Sequence, residues 1–143
     1  MNILAIFNVV GVLLLLLSGL MVLPAGIAFY YDHPPLPGYM ADSQAFVLTL
    51  VASFLIGLSL WKVLPSGVEK LRDREGFAIV ALSWIFIAFA GAFPYYLSGN
   101  CPDFIDAFFE SMSGFTTTGA TILTDIDSLP RGILFWRNLT QWF

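Results

Sequence analysis

The sequence has few charged residues, and this shortage excludes most soluble folds. Only 11% of its 143 residues are charged and 58% are hydrophobic, whereas a typical globular domain carries about 25% charged residues. So few charges cannot cover a surface that faces water, and the composition therefore predicts a membrane protein in contact with the lipid bilayer. The net charge of −4 offers no basic surface for phosphates, so we expect no nucleic-acid partner.

Cysteine and histidine are nearly absent as well. Cys101 and His33 are the only residues of their types, so an internal disulfide is excluded and a zinc cluster or a catalytic triad lacks partners. Both are interpreted as ordinary loop residues. We therefore expect neither an enzyme nor a bound cofactor.

Three long segments carry no charged side chain, and each is long enough to cross a membrane. These segments are residues 1–31, 43–61 and 76–102. A spanning helix needs about 20 apolar residues, so the sequence predicts membrane helices at 3–30, 43–63 and 76–98. The fold class expected is an all-α membrane protein.

The first segment could instead be a cleaved signal peptide. No basic residue precedes its apolar run, and the run is longer than the apolar core of a signal peptide, which spans about 7–15 residues. An uncleaved first span is therefore favoured. Pro24 and Gly26 near its end could bend the helix or end it early.

The basic residues of the loops predict the orientation in the membrane. Four of the six lie in one loop, at Lys62, Lys70, Arg72 and Arg74, and none lies in the loop 32–42. Loops rich in Lys and Arg stay in the cytoplasm. We therefore expect loop 62–75 and the N-terminus to be cytoplasmic, and loop 32–42 to be outside.

A shorter helix is predicted after the third span, from Pro102 to Gly114. Asp103 suits the N-cap with Asp106 at the third helical position, and Gly114 suits a left-handed residue at the C-terminal end. About 11 helical residues span roughly 17 Å, little more than half of a hydrocarbon core of about 30 Å. Such a helix lies on the surface or enters the membrane and returns.

The last segment predicts the start of a further membrane helix. Ser128 is a candidate cap, and Pro130 falls in the first turn. The segment from Pro130 to Phe143 would form about 21 Å of helix, too short to span the bilayer. We therefore expect this helix to continue in a longer natural chain.

Between these two helices lies a polar segment, F-T-T-T-G-A-T-I-L at 115–123. Non-helical backbone at membrane depth is tolerated only where it lines a cavity or is buried in protein. Carbonyl oxygens in such a cavity can replace the hydration shell of potassium, and Gly119 permits the positive φ that orients them. Threonine hydroxyls could add ligands or support the loop from behind. The alternative is an ordinary polar outer loop.

Four charged side chains of the two flanking helices bear on the role of this segment. Asp106 and Glu110, one helical turn apart, could raise the local cation concentration or accept hydrogen bonds from the loop backbone; the alternative is a solvated helix face. Arg131 is expected near the outer interface. Arg137 lies about 10 Å deeper, where an unpaired charge is costly, so we expect it to pair with a carboxylate or a carbonyl.

Two neighbouring motifs resemble the first pore loop and following helix of Trk-type potassium-uptake proteins, which form part of the Trk/Ktr/HKT superfamily. The motifs are A-F-F-E-S-M-S-G-F-T-T-T-G-A-T-I-L, at 107–123, and L-P-x-x-x-x-F-W-R, at 129–137. The resemblance implies four helix–pore loop–helix repeats in one chain, each giving a quarter of the filter. Residues 1–75 would be an additional helix pair with a cytoplasmic loop, and 76–143 the first repeat, its second helix incomplete.

By the same resemblance, five residues correspond to the potassium filter, namely Thr117, Thr118, Gly119, Ala120 and Thr121, and potassium is expected at the first three. Ala120 and Thr121 replace an aromatic residue and a second glycine of potassium channels, which implies looser selectivity. The partners implied are the other three repeats, a second copy in a homodimer, and a cytosolic nucleotide-binding regulatory subunit at the bacterial inner membrane. The alternative function is a non-transporting membrane scaffold or accessory subunit.

Overall fold

The computed structural model describes residues 3–31, 34–64 and 73–142, with the backbone alone at 73–75. This part of the chain contains five α-helices and no strand, so the all-α prediction is confirmed. In chain order they are α1 (Ile3–Tyr30), α2 (Asp42–Val63), α3 (Asp73–Leu97), α4 (Phe104–Phe115) and α5 (Arg131–Thr140). His33 and most of the basic loop lie outside the described residues.

The first three helices are long and apolar enough to cross a membrane, as predicted. The segments that qualify are all of α1, all of α2 and Gly76–Leu97 of α3, with mean hydropathies of 2.6, 2.0 and 2.2. The predicted bounds agree with the observed helices to within three residues. Of the two outcomes considered for Pro24 and Gly26, a bend or an early end, the early end is excluded, because α1 continues through both residues to Tyr30. Pro24 is fully buried, and packing offsets the backbone bond that proline removes.

Two glycines allow α1 and α2 to pack backbone against backbone. A Cβ on Gly57 would lie 2.7 Å from the Gly11 carbonyl oxygen, and one on Gly11 would lie 2.7 Å from Leu60 Cβ. At the end of α2, Asn8 Nδ2 donates to the carbonyls of Trp61 at 3.0 Å and Leu64 at 2.7 Å. One α1 side chain thus satisfies carbonyls that the end of a helix leaves without partners.

Trp136 of α5 joins three other helices at the centre of the core. Its ring contacts Phe46 and Phe115 edge to face, with centroid distances of 6.2 and 6.0 Å. Its Nε1 donates to the Gly91 carbonyl of α3 at 3.1 Å. The indole is fully buried, so both its apolar body and its polar N–H have partners. These contacts fix α5 against α3 and α4.

The start of α4 matches the prediction, and its end does not. Asp103 caps the helix by accepting from Ile105 N at 2.8 Å. Gly114, predicted as a left-handed C-terminal residue, lies inside α4. Glycine is needed there for a different reason, because a Cβ would collide with the Thr140 hydroxyl of α5.

The bounds of α5 also differ from the prediction. The Ser128 hydroxyl donates to the Asp125 carbonyl at 3.1 Å instead of capping a helix. The helix begins at Arg131 with Pro130 as its N-cap and ends at Thr140, followed by a turn at 141–142. The predicted cap at Ser128 was therefore wrong, whereas the continuation of this helix in a longer natural chain stays a prediction. The guanidinium of Arg131 is exposed and lies 4.7 Å from the centre of the Tyr31 ring.

Candidate ion-binding loop

The candidate site is the loop 116–122, which follows the C-terminal end of α4. All seven residues are exposed in this chain, whereas Ser113, Gly114 and Phe115 immediately before them are buried. The carbonyls at a helix C-terminus carry a partial negative charge. The loop is therefore fixed on one side, open on the other, and begins where the potential of α4 favours a cation.

The loop backbone turns through two left-handed residues. Gly119 has φ of +73°, as the sequence predicted, and Thr117 has φ of +53°. A β-branched residue with positive φ is uncommon and strained. No local sequence pattern predicts this conformation at Thr117.

Ser113 of α4 binds three successive residues of the loop. Its carbonyl accepts from Thr118 N at 3.0 Å and from Gly119 N at 3.4 Å. Its hydroxyl donates to the Ala120 carbonyl at 2.6 Å. Sequence reasoning missed Ser113, since nothing distinguishes it from other helical serines until the loop is seen to fold back on α4.

Glu110 supports the C-terminal part of the loop from the side of α4. Its two carboxylate oxygens accept from the Thr121 hydroxyl at 2.9 and 3.0 Å, and Oε2 accepts from Ile122 N at 3.3 Å. Arg137 Nε of α5 donates to Oε1 at 2.9 Å. The expectation that Arg137 pairs with a carboxylate is confirmed.

The charges of this network are almost completely removed from solvent. The side chain of Glu110 is 1% exposed and that of Arg137 12%. Burying a carboxylate is costly unless it is paired and hydrogen-bonded, and Glu110 has both kinds of partner. Asp106, one turn earlier, is exposed. The two acidic residues therefore lie in different environments, and the solvated-face alternative describes Asp106 and not Glu110.

Four consecutive carbonyl oxygens of the loop, those of residues 116–119, have no hydrogen-bond donor within the part of the chain that the structure describes. The last three belong to the predicted filter residues Thr117, Thr118 and Gly119. Two of the nearby hydroxyls are engaged elsewhere: Thr116 donates to the Met112 carbonyl at 2.7 Å, and the Thr116 and Thr118 hydroxyls share a hydrogen bond of 2.8 Å. The chemistry left available is that of neutral oxygens, which suit hard cations.

No cluster of three or more potential metal-binding side chains occurs among the described residues. Residues 42–143 match the sequence model of the TrkH family, described as cation transport protein. The chain belongs to the TrkH family. This membership and the three long apolar helices make it a multi-pass membrane protein.

Individual TrkH-family relatives are similar in sequence to nearly the whole of this chain. The Trk system potassium uptake protein TrkH of Escherichia coli K12 is 43% identical over 143 residues, covering 97% of this chain and 28% of the relative. TrkG of the same organism is 37% identical over 129 residues, covering 90% and 25%. The chain thus spans little more than a quarter of the length of these curated relatives.

A solved structure shows the same arrangement of helices. The crystal structure of the potassium transporter TrkH from Vibrio parahaemolyticus matches this chain with a TM-score of 0.86 at 37% identity, covering 100% of this chain and 29% of that one. The TrkH-family fold expected from the two sequence motifs is therefore confirmed.

Proposed function

We propose that this chain takes part in potassium uptake across the membrane, supplying one quarter of a potassium-selective filter in a four-repeat pore. The observation that carries the proposal is the row of three carbonyls at Thr117, Thr118 and Gly119, which accept no hydrogen bond in the described chain while Ser113 and Glu110 hold the loop from behind. The relatives named as potassium uptake proteins support potassium as the substrate.

In this proposal the loop carbonyls replace part of the water shell of the ion. A single loop approaches an ion from one side only, so three equivalent loops complete the coordination. Rigid support matters because a filter discriminates ions by the number and position of its oxygens. The Ser113 backbone carbonyl and the Glu110 carboxylate provide that support through direct hydrogen bonds, and Arg137 provides it through Glu110.

The two acidic residues of α4 have separate roles. Glu110 has its charge balanced by Arg137, so it acts as an anchor and adds little to the field that a cation meets. Asp106 is exposed and raises the cation concentration near the loop. The C-terminal end of α4 adds its partial negative charge where the loop begins.

The proposed organisation follows from this role. Residues 1–75 form the additional helix pair with its cytoplasmic loop, and 76–143 contribute the first helix–pore loop–helix repeat. The remaining three repeats belong to the rest of the parent protein. We place the protein in the bacterial inner membrane with its N-terminus in the cytoplasm, as a homodimer with a cytosolic nucleotide-binding regulatory subunit.

Gly119→Ser in the full-length parent protein tests the proposal. A Cβ at φ of +73° is strained and disturbs the carbonyls of the filter. We expect the potassium-to-sodium flux ratio to fall, together with potassium-dependent growth of an uptake-deficient strain. Gly38→Ser is the matched control, because Gly38 has φ of +84° in an outer loop and, like Gly119, open space around it. Equal flux ratios and equal growth in the two variants would show that Gly119 is an ordinary loop glycine.

A further inference from the structure

The five residues that correspond to a filter are not equivalent in their hydrogen bonding. The Ala120 carbonyl accepts from the Ser113 hydroxyl at 2.6 Å, whereas the carbonyls of Thr117, Thr118 and Gly119 accept no bond within the described chain. Ser113 lies on α4 and is 6% exposed. Its hydroxyl therefore holds the Ala120 oxygen toward the helix behind the loop.

From this difference we infer that Ser113 is a specificity-determining residue, which removes the Ala120 carbonyl from the set of oxygens that ligate the ion. The inference rests on the proposed function and deepens it. Two effects act together: the carbonyl turns toward α4, and the hydroxyl proton engages one of its lone pairs. Of the four consecutive carbonyls from Thr117 to Ala120, three then remain available to the ion, and an ion at the level of Ala120 keeps more of its water.

The neighbouring residue is held in the same manner. The Thr121 hydroxyl is bound to both oxygens of Glu110, so it is engaged on the side of the loop that faces α4. Of the five positions that correspond to a filter, the outer two are thus tied to α4, Ala120 by its carbonyl and Thr121 by its hydroxyl, whereas the inner three keep unengaged carbonyls. The ion bound at the level of Ala120 and Thr121 is therefore a monovalent cation that keeps part of its hydration shell.

Ser113→Ala in the full-length parent protein tests the inference. The backbone carbonyl of Ser113, which accepts from Thr118 and Gly119, is unchanged, and only the bond to Ala120 is lost. The freed Ala120 carbonyl can turn to the ion and replace more of its water. We expect the potassium-to-sodium flux ratio in proteoliposomes to rise at least about threefold.

Ser111→Ala is the matched control. Ser111 is a buried serine of the same helix, two positions earlier, and its hydroxyl has no hydrogen-bond partner among the described residues. Its removal is expected to leave the flux ratio unchanged, since no loop contact is lost. Ser113→Cys keeps a side chain of similar size with a weaker donor, and we expect a smaller rise; it serves as the test if Ser113→Ala does not accumulate in the membrane.

The remaining outcomes separate this inference from the proposed function. An unchanged ratio in Ser113→Ala would show that the Ala120 carbonyl has no part in selectivity, and a lower ratio would show that the hydroxyl holds that carbonyl in a ligating position. Either result overturns the inference while a response of Gly119→Ser upholds the filter. If Gly119→Ser has no effect either, the proposed function itself has failed.

Discussion

Glu110 of α4 and Arg137 of α5 form an ion pair of 2.9 Å between Oε1 and Nε, although 26 residues lie between them in sequence. The same carboxylate binds the loop at Thr121 and Ile122. One buried charge thus connects the two helices that flank the loop with the loop itself. Substitution of either Glu110 or Arg137 is therefore expected to disturb α4, α5 and the loop.

Glu110→Gln is predicted to destabilise the protein by about 3–5 kcal/mol, the usual cost of leaving one member of a buried pair unpaired. The amide can still bind Thr121, so the loss of unfolding free energy would come from the guanidinium of Arg137, which is left without a carboxylate. Thermal unfolding in detergent measures the change. Asp106→Asn is the control, because Asp106 is exposed on the same helix; equal effects of the two substitutions would contradict this account.

The double variant Glu110→Gln/Arg137→Gln is predicted to be more stable than either single variant. Removing both charges abolishes the desolvation cost that each single variant leaves behind. The interaction energy from the double-mutant cycle measures the pair. Additive losses would show that the two residues act independently in spite of their contact.

Gly57→Ala is predicted to cost about 1–3 kcal/mol through overpacking. The new methyl would lie 2.7 Å from the Gly11 carbonyl oxygen, and α1 and α2 would have to move apart. Gly19→Ala is the matched control on α1, since nothing lies within 4 Å of its Cβ position, and helix propensity favours alanine by about 1 kcal/mol. Opposite shifts in melting temperature are the expected result.

Asn8→Asp is predicted to destabilise the pairing of α1 with the end of α2. Asparagine donates to the carbonyls of Trp61 and Leu64, whereas a carboxylate cannot donate and its charge opposes the negative end of α2. The expected loss of unfolding free energy is at least about 1–3 kcal/mol. A melting temperature equal to that of the wild type would show that the two bonds contribute nothing.

Cysteine labelling tests two things, the orientation of the chain in the membrane and the burial of the Cys101 thiol. Burial, with Glu110 and Asp106 nearby, raises the pKa of the Cys101 thiol to about 12, so the reactive thiolate is scarce at pH 8 and increases only as the pH approaches 12. We expect Ser43→Cys and Ser66→Cys, in a Cys101→Ser background, to label from opposite sides of the membrane. Native Cys101 should react far more slowly than Ser43→Cys; fast labelling at pH 8 would contradict its burial.

The elements that depend on local patterns could be predicted from the sequence. The three spans follow from charge-free length, and the Asp103 cap follows from side-chain chemistry at a helix start. The predicted end of α4 and the predicted start of α5 were wrong. Gly114 is needed for a close contact with Thr140, and the Ser128 hydroxyl donates to the Asp125 carbonyl. Both depend on partners that local sequence does not specify.

The candidate loop also has some features that local sequence predicts and others that depend on distant partners. Its composition marks residues 117–121, and Gly119 has the expected positive φ. Ser113 and the left-handed Thr117 could not be predicted, because each results from the way the loop folds back onto α4. The pairing of Arg137 with a carboxylate was predictable from the cost of a charge in the membrane, but the choice of Glu110 required the arrangement of the helices.

The separation of Glu110 and Arg137 along the chain has a consequence for synthesis. A ribosome adding about 5–20 residues per second needs roughly one to five seconds to make the residues between them. During that interval the glutamate has no guanidinium to neutralise it, and hydrocarbon excludes an unpaired carboxylate. If the loop lies in the membrane as proposed, we expect the segment 104–123 to stay in an aqueous environment until α5 has been made, and to enter the membrane together with α5.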